Sequence, residues 1–107
     1  MEQLSYTFEG GRTERHDAVV VGVVASGNLE VMVEPVPGDA NCRIDIRTPA
    51  RGFDEVWSAV LADFFERSQI AGVRISINDV GATPAVVSLR LDQAVKEFRS
   101  GAARSGG

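Results

Sequence analysis

The sequence predicts an α+β fold, a two-layer sandwich in which two helices cover one face of a mainly antiparallel sheet. Two patterns carry that expectation. Several short segments alternate apolar and polar residues, and one longer segment repeats its apolar residues at helical spacing. A chain of 107 residues has room for one core of this kind and not for two.

Leu4, Tyr6 and Phe8 alternate with polar neighbours as a first strand, which Gly10-Gly11 and the charged stretch 12–17 end in a loop. Residues 18–25 (AVVVGVVA) are mostly β-branched and short, the pattern of a strand buried on both faces. Leu29, Val31 and Val33 then share one face while Glu30, Met32 and Glu34 share the other. Between these two strands, Ser26-Gly27-Asn28 supplies the residue types that tolerate positive φ, so a tight hairpin turn is expected. After the turn-rich stretch 35–41, Cys42, Ile44 and Ile46 alternate with Arg43, Asp45 and Arg47 in a strand antiparallel to the preceding one.

At residue 53 the period changes. Phe53, Val56, Trp57, Val60, Leu61, Phe64 and Phe65 fall on one helical stripe, with Asp54 and Glu55 in the first turn and Arg67 in the last, matching the helix dipole. Val73, Ile75 and Ile77 form another alternating strand, and 79–84 form a loop. From residue 85 two periods compete. Val87, Leu89 and Leu91 alternate like a strand, while Val87, Leu91, Val95 and Phe98 share a helical face, and Thr83-Pro84 could be an N-cap followed by a first-turn proline. Weak helix propensity at Val86-Val87 favours a strand over 85–90 and a helix over 91–99. One domain over 1–99 and a disordered tail over 100–107, rich in glycine, serine and alanine, complete the organisation.

Composition excludes several function classes. Eleven Lys+Arg against fifteen Asp+Glu give a formal net charge of −4, with no uniform positive field for nucleic acid or anionic lipid. The longest apolar run, 18–25, is too short to span a bilayer, and the amino terminus carries no hydrophobic signal core, so a cytoplasmic location without membrane contact is expected. A single cysteine, Cys42, excludes internal disulfides, and with a single histidine, His16, it excludes multi-ligand zinc motifs. No glycine pattern matches a phosphate-binding loop. Asp79 with Thr83 reads as a loop-fixing pair, and Trp57 as a core residue.

Ser26 stands apart by position. A serine opening a tight turn between two apolar strands projects beyond the sheet on a rigid support, and Gly27 beside it lets another protein's active site approach the hydroxyl. Serine, glycine and asparagine are equally what plain turns are made of, so the residues alone leave both readings open.

Val20–Pro35 (VVGVVASGNLEVMVEP) together with Ile77–Phe98 (INDVGATPAVVSLRLDQAVKEF) resembles the acyl carrier protein, or delta, subunit of malonate decarboxylase, and more distantly the gamma acyl carrier subunit of citrate lyase. The similarity spans nearly the whole chain apart from the tail. It implies a carrier unlike the four-helix carrier of fatty-acid synthesis. It also implies that Ser26, in a segment of the form S-G-D-L-E-V, carries a covalent 2′-(5″-phosphoribosyl)-3′-dephospho-coenzyme A arm, with Gly27 and Asn28 beside the attachment point. Asn28 stands where aspartate is expected and Ala25 where glycine is frequent.

What the resemblance implies is a carrier without a catalytic constellation of its own, holding acetyl and malonyl thioesters for partner subunits. Those partners would be acyltransferase and decarboxylase subunits, a malonyltransferase, and a transferase that attaches the prosthetic group. A thioester carbonyl accepts the charge that decarboxylation develops, and a tether raises effective concentration at successive sites. Two other readings compete. One is an assembly subunit without a prosthetic group, docking through a sheet edge or the Glu30/Met32/Glu34 face. The other is a stand-alone enzyme using a Cys42/His16 pair.

Overall fold

The computed structural model describes residues 1–105, of which 102–105 by backbone only. Strands β1 (Glu2–Phe8), β2 (Arg12–Thr13), β3 (Val19–Gly22), β4 (Asn28–Pro35) and β5 (Cys42–Thr48) precede helix α1 (Asp54–Ser68). Strands β6 (Ile70–Ala71) and β7 (Val73–Val80) and helix α2 (Pro84–Ser105) complete the order. Five strands form one sheet in the order β1-β5-β7-β4-β3, and β2 with β6 forms a two-residue parallel pair beside it.

The predicted class holds: two helices pack on one face of a sheet whose pairings are antiparallel except at β5/β7. That parallel pair explains a difference in topology. The chain leaves β5, crosses over through α1 and returns as β7 beside it, because parallel neighbours need a long connection and the amphipathic helix provides one. β7 therefore separates β4 from β5, and the strand 42–47 does not pair with 29–34 as neighbour.

The core follows the alternation of the sequence. Leu29, Val31, Val33, Cys42, Ile44, Ile46, Val73, Ile75 and Ile77 point from the sheet toward the helices and are buried. From α1, Trp57, Leu61, Phe64 and Phe65 meet them, and from α2, Val87, Leu91, Ala94, Val95 and Phe98. Phe8 stacks on Phe65 at 5.1 Å between ring centroids, closing the sheet edge against α1.

Three expectations are corrected. Residues 85–90 are helix, not strand. Thr83 caps α2, its Oγ1 accepting the Val86 N–H at 3.4 Å, and Pro84 occupies the first turn, where a missing N–H costs nothing. The helical face Val87, Leu91, Val95, Phe98 is buried while Leu89, which a strand would have buried with Val87 and Leu91, is 60% exposed. The segment 18–25 is not a strand buried on both faces. β3 is the sheet's edge strand and stops at Gly22, leaving Val20, Val23 and Val24 exposed. Finally, α2 continues to Ser105 through residues expected to begin a disordered tail, since Ala102-Ala103-Arg104 are good helix formers once a helix leads into them. Residues 106 and 107 of that tail lie outside the described residues. No described helix is long and apolar enough to cross a membrane.

Candidate functional site

Ser26 lies in a β-turn built from Ala25 to Asn28, closed by the Asn28 N–H donating to the Ala25 carbonyl at 2.9 Å. Gly27 takes φ +76°, the left-handed third position of such a turn, which glycine enters without strain. Its N–H donates to the Val80 carbonyl at 2.7 Å, tying the turn to the last residue of β7. Asn28 opens β4 and pairs with both Val80 and Gly81 across the same junction. The turn is thus fixed to the central part of the sheet from one side.

On its other side the chain breaks out of β3 at Gly22. Here φ is +83°, and an ideal Cβ would lie 2.1 Å from the Leu29 carbonyl oxygen, so only glycine fits. Beyond it Val23, Val24, Ala25, Ser26 and Gly27 are all exposed. An ideal Cβ on Gly27 meets nothing within 4 Å. Among the described residues the Ser26 hydroxyl has no hydrogen-bond partner. A small, exposed hydroxyl with clear space around it, on a turn tied to β7 through Gly27 and Asn28, is what a covalent attachment point needs.

Three groups surround this turn. The Asn28 Oδ1 accepts from the Leu29 N–H at 2.8 Å and from the Arg90 Nε–H at 3.2 Å, joining the turn to the second helical turn of α2. The Arg90 stem runs over Gly22, whose ideal Cβ would lie 3.5 Å from Arg90 Cδ. Next to Gly81 opens an apolar cleft of about 300 Å³ lined chiefly by Phe53, Val56, Trp57, Val60, Pro84 and Val87. Phe53 and Val56, predicted on the apolar stripe of α1, are half exposed here because they form the lip of this cleft rather than the core. Beneath it, buried Asp79 accepts from the Thr48 hydroxyl at 2.8 Å and from the Ala82 N–H at 2.9 Å. Asp79 does fix its loop, with Thr48 and Ala82 rather than Thr83 as partners.

The pair His16 and Cys42 is not brought together. Cys42 faces the core of β5, where burial pushes its thiol up to about 12, out of reach of thiolate chemistry at neutral pH. His16 sits edge-on to Phe98 at 4.8 Å and shares Glu14 with Arg99. Among the described residues no group of three or more His, Cys, Asp and Glu could hold a metal ion. Sequence reasoning missed Arg90 and the cleft. Both depend on α2 starting at Pro84, and the Thr83-Pro84 pair was the signal that would have placed them.

A family profile described as malonate decarboxylase delta subunit (MdcD) matches residues 16–98. The chain is 58% identical to a malonate decarboxylase acyl carrier protein of Burkholderia cepacia, over 94% of this chain and 93% of the relative. It is 61% identical to one of Xanthomonas campestris pv. campestris (strain B100), over 89% and 92%. Its structure is similar, with a TM-score of 0.83, 36% identity and coverage of 92% and 99%, to a chain in the crystal structure of a Pseudomonas malonate decarboxylase hetero-tetramer in complex with malonate.

Proposed function

The chain belongs to the malonate decarboxylase delta-subunit family, and from that premise we propose that this acyl carrier subunit works through a prosthetic arm attached at Ser26. The observation that carries this reading is the exposed, unengaged Ser26 hydroxyl on a turn pinned by the Gly27–Val80 hydrogen bond. The arm is 2′-(5″-phosphoribosyl)-3′-dephospho-coenzyme A, joined by a phosphodiester. In its formation Ser26 Oγ attacks the phosphorus of an activated phosphoribosyl donor, the donor's bond to its leaving group breaks, and the hydroxyl proton passes to a base of a separate transferase. When bound, the group supplies a thiol that holds acetyl and malonyl as thioesters, whose carbonyl accepts the electron pair released on decarboxylation better than a free carboxylate does.

The residues of this chain fit that role. Gly27 keeps space open beside the hydroxyl, Asn28 and the Val80 carbonyl fix the turn's direction, and the sheet beneath gives the arm a stiff root. Catalysis is left to other chains, consistent with a Cys42 buried at high pKa and a His16 committed to Glu14 and Phe98. Partners are then the other subunits of malonate decarboxylase, in keeping with the hetero-tetramer that contains the structural relative. The acyltransferase, the decarboxylase subunits, a malonyltransferase and the prosthetic-group transferase would each meet the arm at this end of the molecule.

Intact mass tests the reading. Produced together with its modifying enzymes, the protein gains the mass of one phosphoribosyl-dephospho-coenzyme A, and Ser26→Ala gains none. Equal modification of the alanine variant overturns the site. Normal turnover by a complex built with Ser26→Ala favours an assembly subunit that needs no arm.

A further inference from the structure

We propose that Arg90 is the anion-binding residue of the attachment site: its guanidinium receives the phosphodiester formed at Ser26 and positions the root of the arm. The proposal rests on the attachment reading above and adds to it a specific partner from a segment 62 residues away in sequence.

The arginines whose side chains are described fall into three groups. Arg43, Arg67, Arg74 and Arg99 each meet a carboxylate. Arg12, Arg15, Arg47 and Arg51 are exposed and, among the described residues, their side chains are bonded to nothing. Arg90 is different from both. It is half-buried and held in place, yet the groups that hold it are neutral: the Asn28 Oδ1 at 3.2 Å from Nε and the Gln93 Oε1 at 3.0 Å from Nη1. A carboxylate at either position would have cancelled its charge, and the carboxamides leave it uncancelled. Its stem lies over Gly22, so packing as well as hydrogen bonding fixes its direction.

A guanidinium fixed by two neutral oxygens keeps further N–H donors for an acceptor that arrives later. The turn it is bonded to contains the serine that is esterified. A phosphodiester on that serine brings one negative charge and acceptor oxygens to within two residues of Asn28, and phosphate geometry suits the planar fork of arginine. The same charge would draw the anionic donor toward the hydroxyl before the bond forms, an effect that salt screens. The Ser26 end of the molecule thus offers an anion its counter-charge without any phosphate-loop motif in the sequence.

The experiment compares wild type, Arg90→Ala and Arg90→Lys, each first checked by thermal melting of the unmodified protein. Intact mass follows loading by the transferase over time at low and high salt. In wild type at low salt loading is about tenfold faster than in Arg90→Ala, the two converge as salt rises, and Arg90→Lys, which keeps the charge but loses the bond to Asn28, recovers most of the rate. The loaded proteins are then compared by phosphorus NMR. The diester resonance of Arg90→Ala moves to the position of a free diester and loses salt sensitivity, while Arg90→Lys stays nearer wild type. If all three proteins load alike and share one diester resonance, the Arg90 role is overturned and the attachment at Ser26 stands. If wild type gains no mass, both fall together. If Arg90→Ala melts far below wild type, Arg90→Gln, which removes the charge but keeps a long polar side chain, takes its place: slow, salt-insensitive loading and the resonance of a free diester support the role, and wild-type loading and resonance overturn it.

Discussion

The two ends of the sheet are built on opposite terms. At the end where β1 finishes and α2 nears its last turns, polar groups are matched to one another. Glu14 takes both nitrogens of the Arg99 fork at 2.6–3.0 Å and the His16 ring at 3.2 Å, and Arg99 also reaches the Ser68 carbonyl at 2.7 Å. His16 lies on Phe98, so this polar cluster rests directly on the core. At the other end, Arg90 is held by neutral groups, with no counter-charge among the described residues, Val23, Val24, Phe53 and Val56 face solvent, and an apolar cleft opens beside the turn. The difference teaches that one end completes the fold while the other leaves apolar surface and a charge unmatched, features that interaction surfaces share.

The comparison breaks most readily with truncations to alanine at the two ends. Phe98→Ala at the closed end removes a fully buried ring and should cost about 3–5 kcal/mol, a large part of the stability of a domain this size. Val24→Ala at the open end should change stability by less than about 0.5 kcal/mol. Urea unfolding of both variants measures the contrast, and comparable losses would show the open end to be packed. A second pair lies within the open end itself. Gly22→Ala meets the Leu29 carbonyl and a left-handed backbone together, at about 2–3 kcal/mol, whereas Gly27→Ala meets open space and only the backbone penalty, about 1 kcal/mol. Equal costs would mean that the turn is as tightly enclosed as the strand end. Thr48→Val, which deprives buried Asp79 of a donor and the Ala50 N–H of an acceptor, should cost about 1–2 kcal/mol on the same measurement.

How much of this was legible follows from what a period can encode. Alternation told which residues of β4, β5 and β7 face inward, and every one of those expected on the core face is buried. It carried no information about neighbours, so the insertion of β7 between β4 and β5 had to come from the helical crossover. Near Val87 a period of two and a period of 3.6 agree at Val87 and Leu91 and differ at Leu89, and the exposed Leu89 shows the alternation to be a coincidence within a helix. That Ser26 lies in an exposed turn was legible, because turn chemistry is local, but the tight hairpin expected there is a longer connection, 23–27, with Asn28 already in β4. The short β3 was not, since Gly22 ends it through a contact with Leu29, which only the paired strand supplies. Arg90 was invisible for the same reason: it belongs to the site only after a helix misread as a strand is folded against a turn 62 residues earlier.

Acid titration sharpens the contrast between the ends at the smallest scale. Partial burial pushes the Glu14 carboxyl up, but hydrogen bonds from Arg99 and His16 outweigh it, and the net shift is downward. A carboxyl whose pKa is lower folded than unfolded stabilises the fold fully above the ordinary carboxylate range, and that contribution disappears as pH falls through the lowered value. Glu14→Gln should therefore melt below wild type at neutral pH, by about 1 kcal/mol for a partly exposed ion pair, and the two curves should draw together as pH falls below the ordinary carboxylate range. Among the described residues Arg90 has no carboxylate partner to lose, so Arg90→Gln in the unmodified protein should leave the shape of the acid limb as it is in wild type. A melting difference between Arg90→Gln and wild type that closes in acid would reveal a carboxylate compensating Arg90, and would erase the distinction between a charge already answered at one end and a charge held open at the other.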